Sequence, residues 1–294
     1  MKKRTANSIM PQVLITAARR AWPTGRLVLI AYLVLVLAML FLETWLVYPA
    51  PPIALGDWNP VGLNHEDVWF ESADGTKLHG WFVPHPQPKR VILYCHGNGE
   101  HIGFNADLAA RLRDSLSASV FLFDYRGYGR SEGRPTEAGC IGDGVAAQNW
   151  LANRTGSRPG DIVLMGRSLG GAVAVAVAAE QGARALILEN SFPTMPEVAA
   201  VHFPWLPVRW AMRNRYDSLS RISRYSGPLV QSHGLADHLI PIDLARRLFE
   251  AANARTKKWI EFPELGHNSP WPTQYYNDLA EFLDTSASAI VEAK

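Results

Sequence analysis

The run Gly166-Arg167-Ser168-Leu169-Gly170 constrains this chain more than any other feature. The apolar residues Ile162-Val163-Leu164-Met165 precede it, and the small-residue series Gly171-Ala172-Val173-Ala174-Val175-Ala176 follows. A buried strand, a sharp turn and a closely packed helix satisfy that pattern, with Ser168 at the apex. Glycine two places before and two after the serine lets strand and helix nearly touch, while the turn pushes the hydroxyl into the open. A glycine-rich turn that cradles a phosphate shares the pattern. Ser168 therefore reads as a nucleophile only if the rest of the chain supplies a base, an acid and oxyanion donors.

From about residue 61, short apolar runs alternate with helix-like segments. Val68-Trp69-Phe70 and the run 78–83 flank Asp74-Gly75, a hairpin signal. Further strands are predicted at 91–94, 120–123, 162–165, 185–188, 228–231 and 258–262, with helices near 104–115, 136–153, 169–181, 241–253 and 273–285. Such alternation predicts an α/β fold with a mostly parallel eight-stranded sheet, helices on both faces and the hairpin at one edge. The rhythm breaks between 191 and 226, where Phe192, Phe203, Trp205, Trp210 and Tyr216 accompany four prolines and several arginines. Pro204 and Pro207 argue against a long helix or a strand there. The segment reads as a small cap offering apolar surface to an acyl or aromatic group, or else as an irregular connection. The globular domain is expected over 61–286, with a tail at 287–294.

Serine needs an imidazole to take its proton. Of nine histidines, His65, His79, His85, His101 and His202 sit where structural or surface roles are expected. His267, in Glu264-Leu265-Gly266-His267-Asn268, follows the last apolar run and precedes the last helix, in a loop at the strand ends. A carboxylate must hold that imidazole in one tautomer. Asp237, after the strand at 228–231, is the first choice, although it could simply cap the helix beginning near Pro241. Glu189 is the rival acid. For the oxyanion, the amides of Leu169 and Asn98 are the expected donors, Asn98 lying in His96-Gly97-Asn98-Gly99-Glu100 after the strand at 91–94.

The first fifty residues read differently. An unbroken apolar run covers 27–42 and resumes at Trp45-Leu46-Val47-Tyr48. A helix over 27–48 would reach about 33 Å, enough for a hydrocarbon core of about 30 Å. Lys2, Lys3, Arg4, Arg19, Arg20 and Arg26 precede it without an acid, so the positive-inside rule puts residues 1–26 in the cytoplasm and the domain across the membrane. In a bacterium that is an inner-membrane anchor with a periplasmic domain. Trp45 and Tyr48 suit the far interface. A cleaved signal peptide or a core helix fits less well, because no small-x-small cleavage site and no amphipathic period are visible. Pro49, Pro51 and Pro52 stiffen a spacer over 49–60.

These elements come in the order Ser, Asp, His, the order of α/β-hydrolases. The chain resembles the Bem46-like group of that superfamily, the α/β-hydrolase-domain (ABHD) proteins and the serine-aminopeptidase-like hydrolase domain. Asp74-Gly75 with Leu78-His79-Gly80-Trp81 carries the likeness, as do His96-Gly97-Asn98-Gly99 and Asp124-Tyr125-Arg126-Gly127-Tyr128-Gly129 with Ser131 and Gly133. So do Gly166-Arg167-Ser168-Leu169-Gly170-Gly171, His233-Gly234 with Asp237, and Gly266-His267-Asn268. The likeness spans about 65 to 285. It implies an acyl-enzyme mechanism without metal or organic cofactor, a structural turn at 124–133, and acyl substrates such as lysophospholipids, monoacylglycerols or protein-bound palmitate. The expectation is a membrane-anchored serine hydrolase of carboxylic esters or thioesters. A peptidase or amidase, or a binding protein without turnover, stands behind it. A net charge of only +2 without a basic block gives no case for nucleic acid. The two cysteines, Cys95 and Cys140, support neither a disulfide framework nor a metal site. Oligomeric state is not legible.

Overall fold

The computed structural model describes residues 10–292. They form two units, one ending at Glu43 and the other beginning at Thr44. Helix α1 (Met10–Val47) makes up the first unit and ends in the second. Its stretch Gly25–Val47, 23 residues, is long and apolar enough to cross a membrane. The helix starts well before residue 27, because Ala17, Ala18, Arg19, Arg20 and Ala21 are good helix formers ahead of the apolar run. Lys2, Lys3 and Arg4 lie outside the described residues.

Eight strands of the second unit form one sheet: β1 (Glu66–Glu71), β2 (Lys77–Val83), β3 (Arg90–Cys95), β4 (Ala118–Phe123), β5 (Val163–Arg167), β6 (Ala185–Glu189), β7 (Leu229–Gly234) and β8 (Lys257–Phe262). Their spatial order is β1-β2-β4-β3-β5-β6-β7-β8. The pairs β1–β2 and β2–β4 are antiparallel and all the others parallel, as the hairpin at one edge requires. Successive strand residues face opposite sides. Leu93 and Cys95 join one apolar layer with α3 (Glu137–Thr155) and α4 (Leu169–Gln181). Ile92 and Tyr94 join the other, with α2 (Ala106–Ser115) and the C-terminal helix. Both layers are buried, so the inner strands β3 to β6 are apolar on both faces, whereas β1 at the edge buries only Val68 and Phe70.

The topology also locates the crevice. From β3 the chain passes to β4 on one side, and it returns to β5 on the other. The connections leaving the C-terminal ends of β3 and β5 therefore run to opposite sides, a switch point where open α/β sheets leave room for a ligand. Residues 96–100 and Ser168 follow those two ends.

Between β6 and β7 lie three short helices, α5 (Met195–His202), α6 (Val208–Ala211) and α7 (Ser218–Ile222). Pro204 and Pro207 separate the first two, since proline cannot donate to a helix ladder. Helix α8 (Ile242–Ala251) precedes β8, and α9 (Thr273–Glu292) closes the fold. It runs past 285 into the segment assigned to a tail, because Thr285-Ser286-Ala287-Ser288-Ala289 holds no glycine or proline to stop it.

Val47 and Tyr48, which the sequence assigns to the end of a membrane span, are buried in the second unit. The Tyr48 hydroxyl donates to Asn214 Oδ1 at 2.7 Å and lies 3.0 Å from the Tyr216 hydroxyl. The carbonyl of Val47 accepts from Asn98 Nδ2 at 2.9 Å.

Candidate active site

Ser168 stands between β5 and α4 at φ 54°, ψ −119°, a left-handed conformation that a non-glycine residue holds only under strain. The neighbouring glycines explain how the turn closes. A Cβ on Gly166 would fall on the Gly170 carbonyl, and one on Gly170 would fall on the main chain of Cys95 and His96. A Cβ on Gly171 would meet the Ser191 side chain. The Ser168 amide donates to the Glu189 carbonyl at 2.8 Å, and Ser191 Oγ donates to the Ser168 carbonyl at 3.3 Å. Strand, elbow and helix are thus packed at backbone contact, as the glycine spacing demands.

Asp237 and His267 come together across 30 positions of sequence. His267 Nδ1 donates to Asp237 Oδ2 at 2.7 Å. The other oxygen, Oδ1, accepts the amides of Leu239 at 2.8 Å and Ile240 at 2.9 Å. Burial pushes the Asp237 carboxyl up, but the hydrogen bond and charge of His267 and the Ile240 amide together leave it below the usual range. An ionised carboxylate accepts only, so Nδ1 carries a proton, and in the neutral ring the lone pair lies on Nε2. The capping alternative is half right: Asp237 serves the loop before α8, but the residue preceding that helix is Pro241, which has no side-chain cap. No hydrogen bond joins Ser168 Oγ to His267 among the described residues; such bonds are often long without substrate.

The loop after β3 lies against the elbow. A Cβ on Gly97 would sit 3.9 Å from Ser168 Cβ. No acceptor takes the amide of Asn98 or of Leu169 among the described residues. His96 Nδ1 lies 2.7 Å from the Gly97 carbonyl, and the Tyr128 hydroxyl donates to the Asn98 carbonyl at 3.0 Å. The 124–133 turn is held by a bond of its own, Ser131 Oγ donating to the Asp124 carbonyl at 2.7 Å, and by one to the segment before α2, Asp124 Oδ1 accepting the Ile102 amide at 2.9 Å.

Asn190 carries no sequence signal of its own, and that of His233 lies only in the family likeness. Asn190, at φ 44°, donates through Nδ2 to the His267 carbonyl at 2.9 Å, and its Oδ1 accepts the Gly234 amide at 3.0 Å. It ties the ends of β6 and β7 to the histidine loop. His233 is fully buried beside Asp237; its Nε2 lies 2.9 Å from the Ile240 carbonyl, and burial holds its pKa down despite the Asp237 charge.

Glu189, the rival acid, makes no hydrogen bond to the imidazole among the described residues and accepts the Tyr275 hydroxyl at 2.7 Å. Burial pushes its carboxyl up to about 7, against the Tyr275 hydrogen bond and the Arg167 charge. A carboxyl that binds its proton more tightly when folded costs stability as pH rises from the unfolded value of 4.5 toward 7. Glu189→Gln is expected to stabilise the protein by up to about 3 kcal/mol at pH 8 and by less than about 1 kcal/mol at pH 5. Thermal melts across that range check it; parallel curves for the two proteins would contradict it.

Residues 86–218 match the family described as Serine aminopeptidase, S33. An uncharacterized protein of Mycobacterium tuberculosis is 41% identical over 206 residues, covering 69% of this chain and 73% of that protein. The α/β hydrolase domain-containing protein WAV2 of Arabidopsis thaliana is 31% identical over 262 residues, covering 82% and 83%. Protein bem46 of Schizosaccharomyces pombe is 29% identical over 232 residues, covering 75% and 77%. Among solved structures, an esterase of Pyrococcus furiosus superposes with a TM-score of 0.65 at 20% identity, covering 80% of this chain and 97% of that one. The eight-stranded sheet, the glycine-flanked elbow and these relatives lead to one assignment: the chain belongs to the α/β-hydrolase superfamily, in its Bem46-like group, and is a hydrolase.

Proposed function

We propose that this hydrolase is a membrane-anchored serine esterase, acting on carboxylic esters or thioesters through an acyl-enzyme. What supports the reading is the strained Ser168 after β5 together with the Asp237–His267 pair, 2.7 Å across, whose loops follow β7 and β8 at the same C-terminal edge of the parallel strands. Ser168 Oγ attacks the acyl carbon while His267 Nε2 takes its proton. Asp237 holds the tautomer and stabilises the imidazolium. The amides of Leu169 and Asn98 receive the oxyanion. His267 returns the proton to the leaving alcohol or thiol, and water then repeats the attack on the acyl-enzyme.

Helices α5–α7 serve as the cap. His202 Nε2, at the end of α5, lies 2.9 Å from the Leu239 carbonyl in the Asp237 loop, and Phe203 and Trp205 are exposed just beyond it. That apolar surface suits an acyl chain. Gly25–Val47 anchors the protein, with the N-terminus in the cytoplasm and the catalytic domain on the far side.

The S33 match favours a second reading, a peptidase acting on aminoacyl amides. A panel of p-nitrophenyl esters, acyl thioesters and aminoacyl p-nitroanilides separates the two. Esters and thioesters are expected to turn over with larger kcat/KM than the anilides. A preference for anilides would overturn the esterase reading and leave the triad standing.

A further inference from the structure

The residue that precedes the nucleophile carries a charge with a specific partner. Arg167 Nη2 lies 2.9 Å from both carboxylate oxygens of Glu100. Glu100 closes the loop after β3, and its Oε1 also accepts the Gly97 amide at 2.8 Å. Its Oε2 accepts Asn105 Nδ2 at 3.2 Å. One carboxylate therefore joins three separate pieces of chain: the elbow through Arg167, the turn at Gly97, and the start of α2 through Asn105. Both partners are largely shielded, with side chains 19% and 12% exposed for Arg167 and Glu100.

The consequence falls on the main chain. A Gly97 amide engaged inward by Glu100 is not available to a substrate, and the following amide, that of Asn98, is left without an internal acceptor. The same bond fixes the turn against the elbow, where a Cβ on Gly97 would lie 3.7 Å from the Arg167 carbonyl and 3.9 Å from Ser168 Cβ. Two oxyanion donors on different loops act together only if their spacing is held, because misplacement of a donor forfeits the transition-state bond.

We infer that Glu100 and Arg167 are positioning residues of the oxyanion hole, clamping the Asn98 amide in register with that of Leu169. The inference rests on the serine-hydrolase reading and adds to it a reason for a charged residue immediately before Ser168. A charged pair is needed because the acceptor must take several donors at once. Glutamine at 100 offers a single oxygen and turns a donor toward either the Gly97 amide or Arg167. Lysine at 167 keeps the charge and, since one nitrogen of Arg167 makes both contacts, can keep them as well.

The test uses the full-length protein in detergent with p-nitrophenyl acetate as substrate. Glu100→Gln is expected to lower kcat about 10-fold and Arg167→Met about 30-fold, with KM within about 2-fold, since the donors act in the transition state. Arg167→Lys restores most of the loss. A trifluoromethyl ketone provides a second readout. Ser168 Oγ adds to its carbonyl carbon, His267 takes the serine proton, and the resulting oxyanion occupies the same hole. Its inhibition constant is expected to rise in step with the fall in kcat. Glu100→Gln is nearly isosteric, so it decides the matter if Arg167→Met does not fold. Wild-type kcat and ketone affinity in folded Glu100→Gln would overturn the inference alone. A wild-type protein that neither turns over ester nor labels at Ser168 with a fluorophosphonate would overturn the serine-hydrolase reading, and this inference with it.

Discussion

Ser168→Ala is expected to lower ester turnover by about 10⁴-fold or more and to abolish fluorophosphonate labelling. The loss is this large because alanine removes the atom that forms the acyl bond, leaving only the oxyanion donors and substrate binding. Triad members act as a unit, so Ser168→Ala/His267→Ala should be little worse than either single change. The elbow adds a second, independent expectation. At φ 54° a side chain is strained, by on the order of 1–3 kcal/mol. Ser168→Gly removes that strain, so it should be as inactive as alanine yet melt higher than the wild type. A Ser168→Ala protein that keeps its turnover would remove serine from the mechanism altogether.

Asp237→Asn is expected to cost about 10⁴-fold in kcat with little loss of fold. The two oxygens have different duties here, and the substitution separates them. Oδ1 accepts the Leu239 and Ile240 amides, which the asparagine carbonyl oxygen still accepts. Oδ2 accepts from His267 Nδ1, and the asparagine NH₂ that replaces it can only donate. His267 must then present a lone pair at Nδ1 and its proton at Nε2, the wrong tautomer to deprotonate Ser168. Kinetics and a thermal melt on one sample check this: kcat collapses and the melting temperature moves by a few degrees. A large fall in stability with proportionate activity would make Asp237 a loop residue only. Asp237→Ala should show both losses together, since it leaves two amides without an acceptor.

The fold was legible because its signals are local. Each strand is a short apolar run punctuated by turn residues, and the structure places all eight where those runs occur. The elbow and the loops at Asn98, Asp237 and His267 were legible for a related reason: each follows a strand end, and parallel topology gathers those ends on one edge. What escaped depends on long-range contacts. Asn190 looks like any residue after a strand; only the fold shows that its amide spans Gly234 and His267. Glu100 and Arg167 are 67 positions apart, and their types alone do not announce a pair. Helix ends drifted where no stop residue marks them, as at Met10 and Glu292.

The bond from Asn98 Nδ2 to Val47 has a bearing on how the protein can be dissected. Its acceptor is a main-chain carbonyl, so alanine scanning across positions 44–48 leaves it in place and would report the segment as dispensable at that point. Cutting the chain is another matter. A shortened form that begins at Pro49 discards the acceptor of Asn98 and the hydroxyl on which Asn214 and Tyr216 converge, whereas one that begins at Thr44 keeps both. How far this protein can be trimmed is therefore a matter of five residues, and the boundary between its two units lies inside the last turn of a helix.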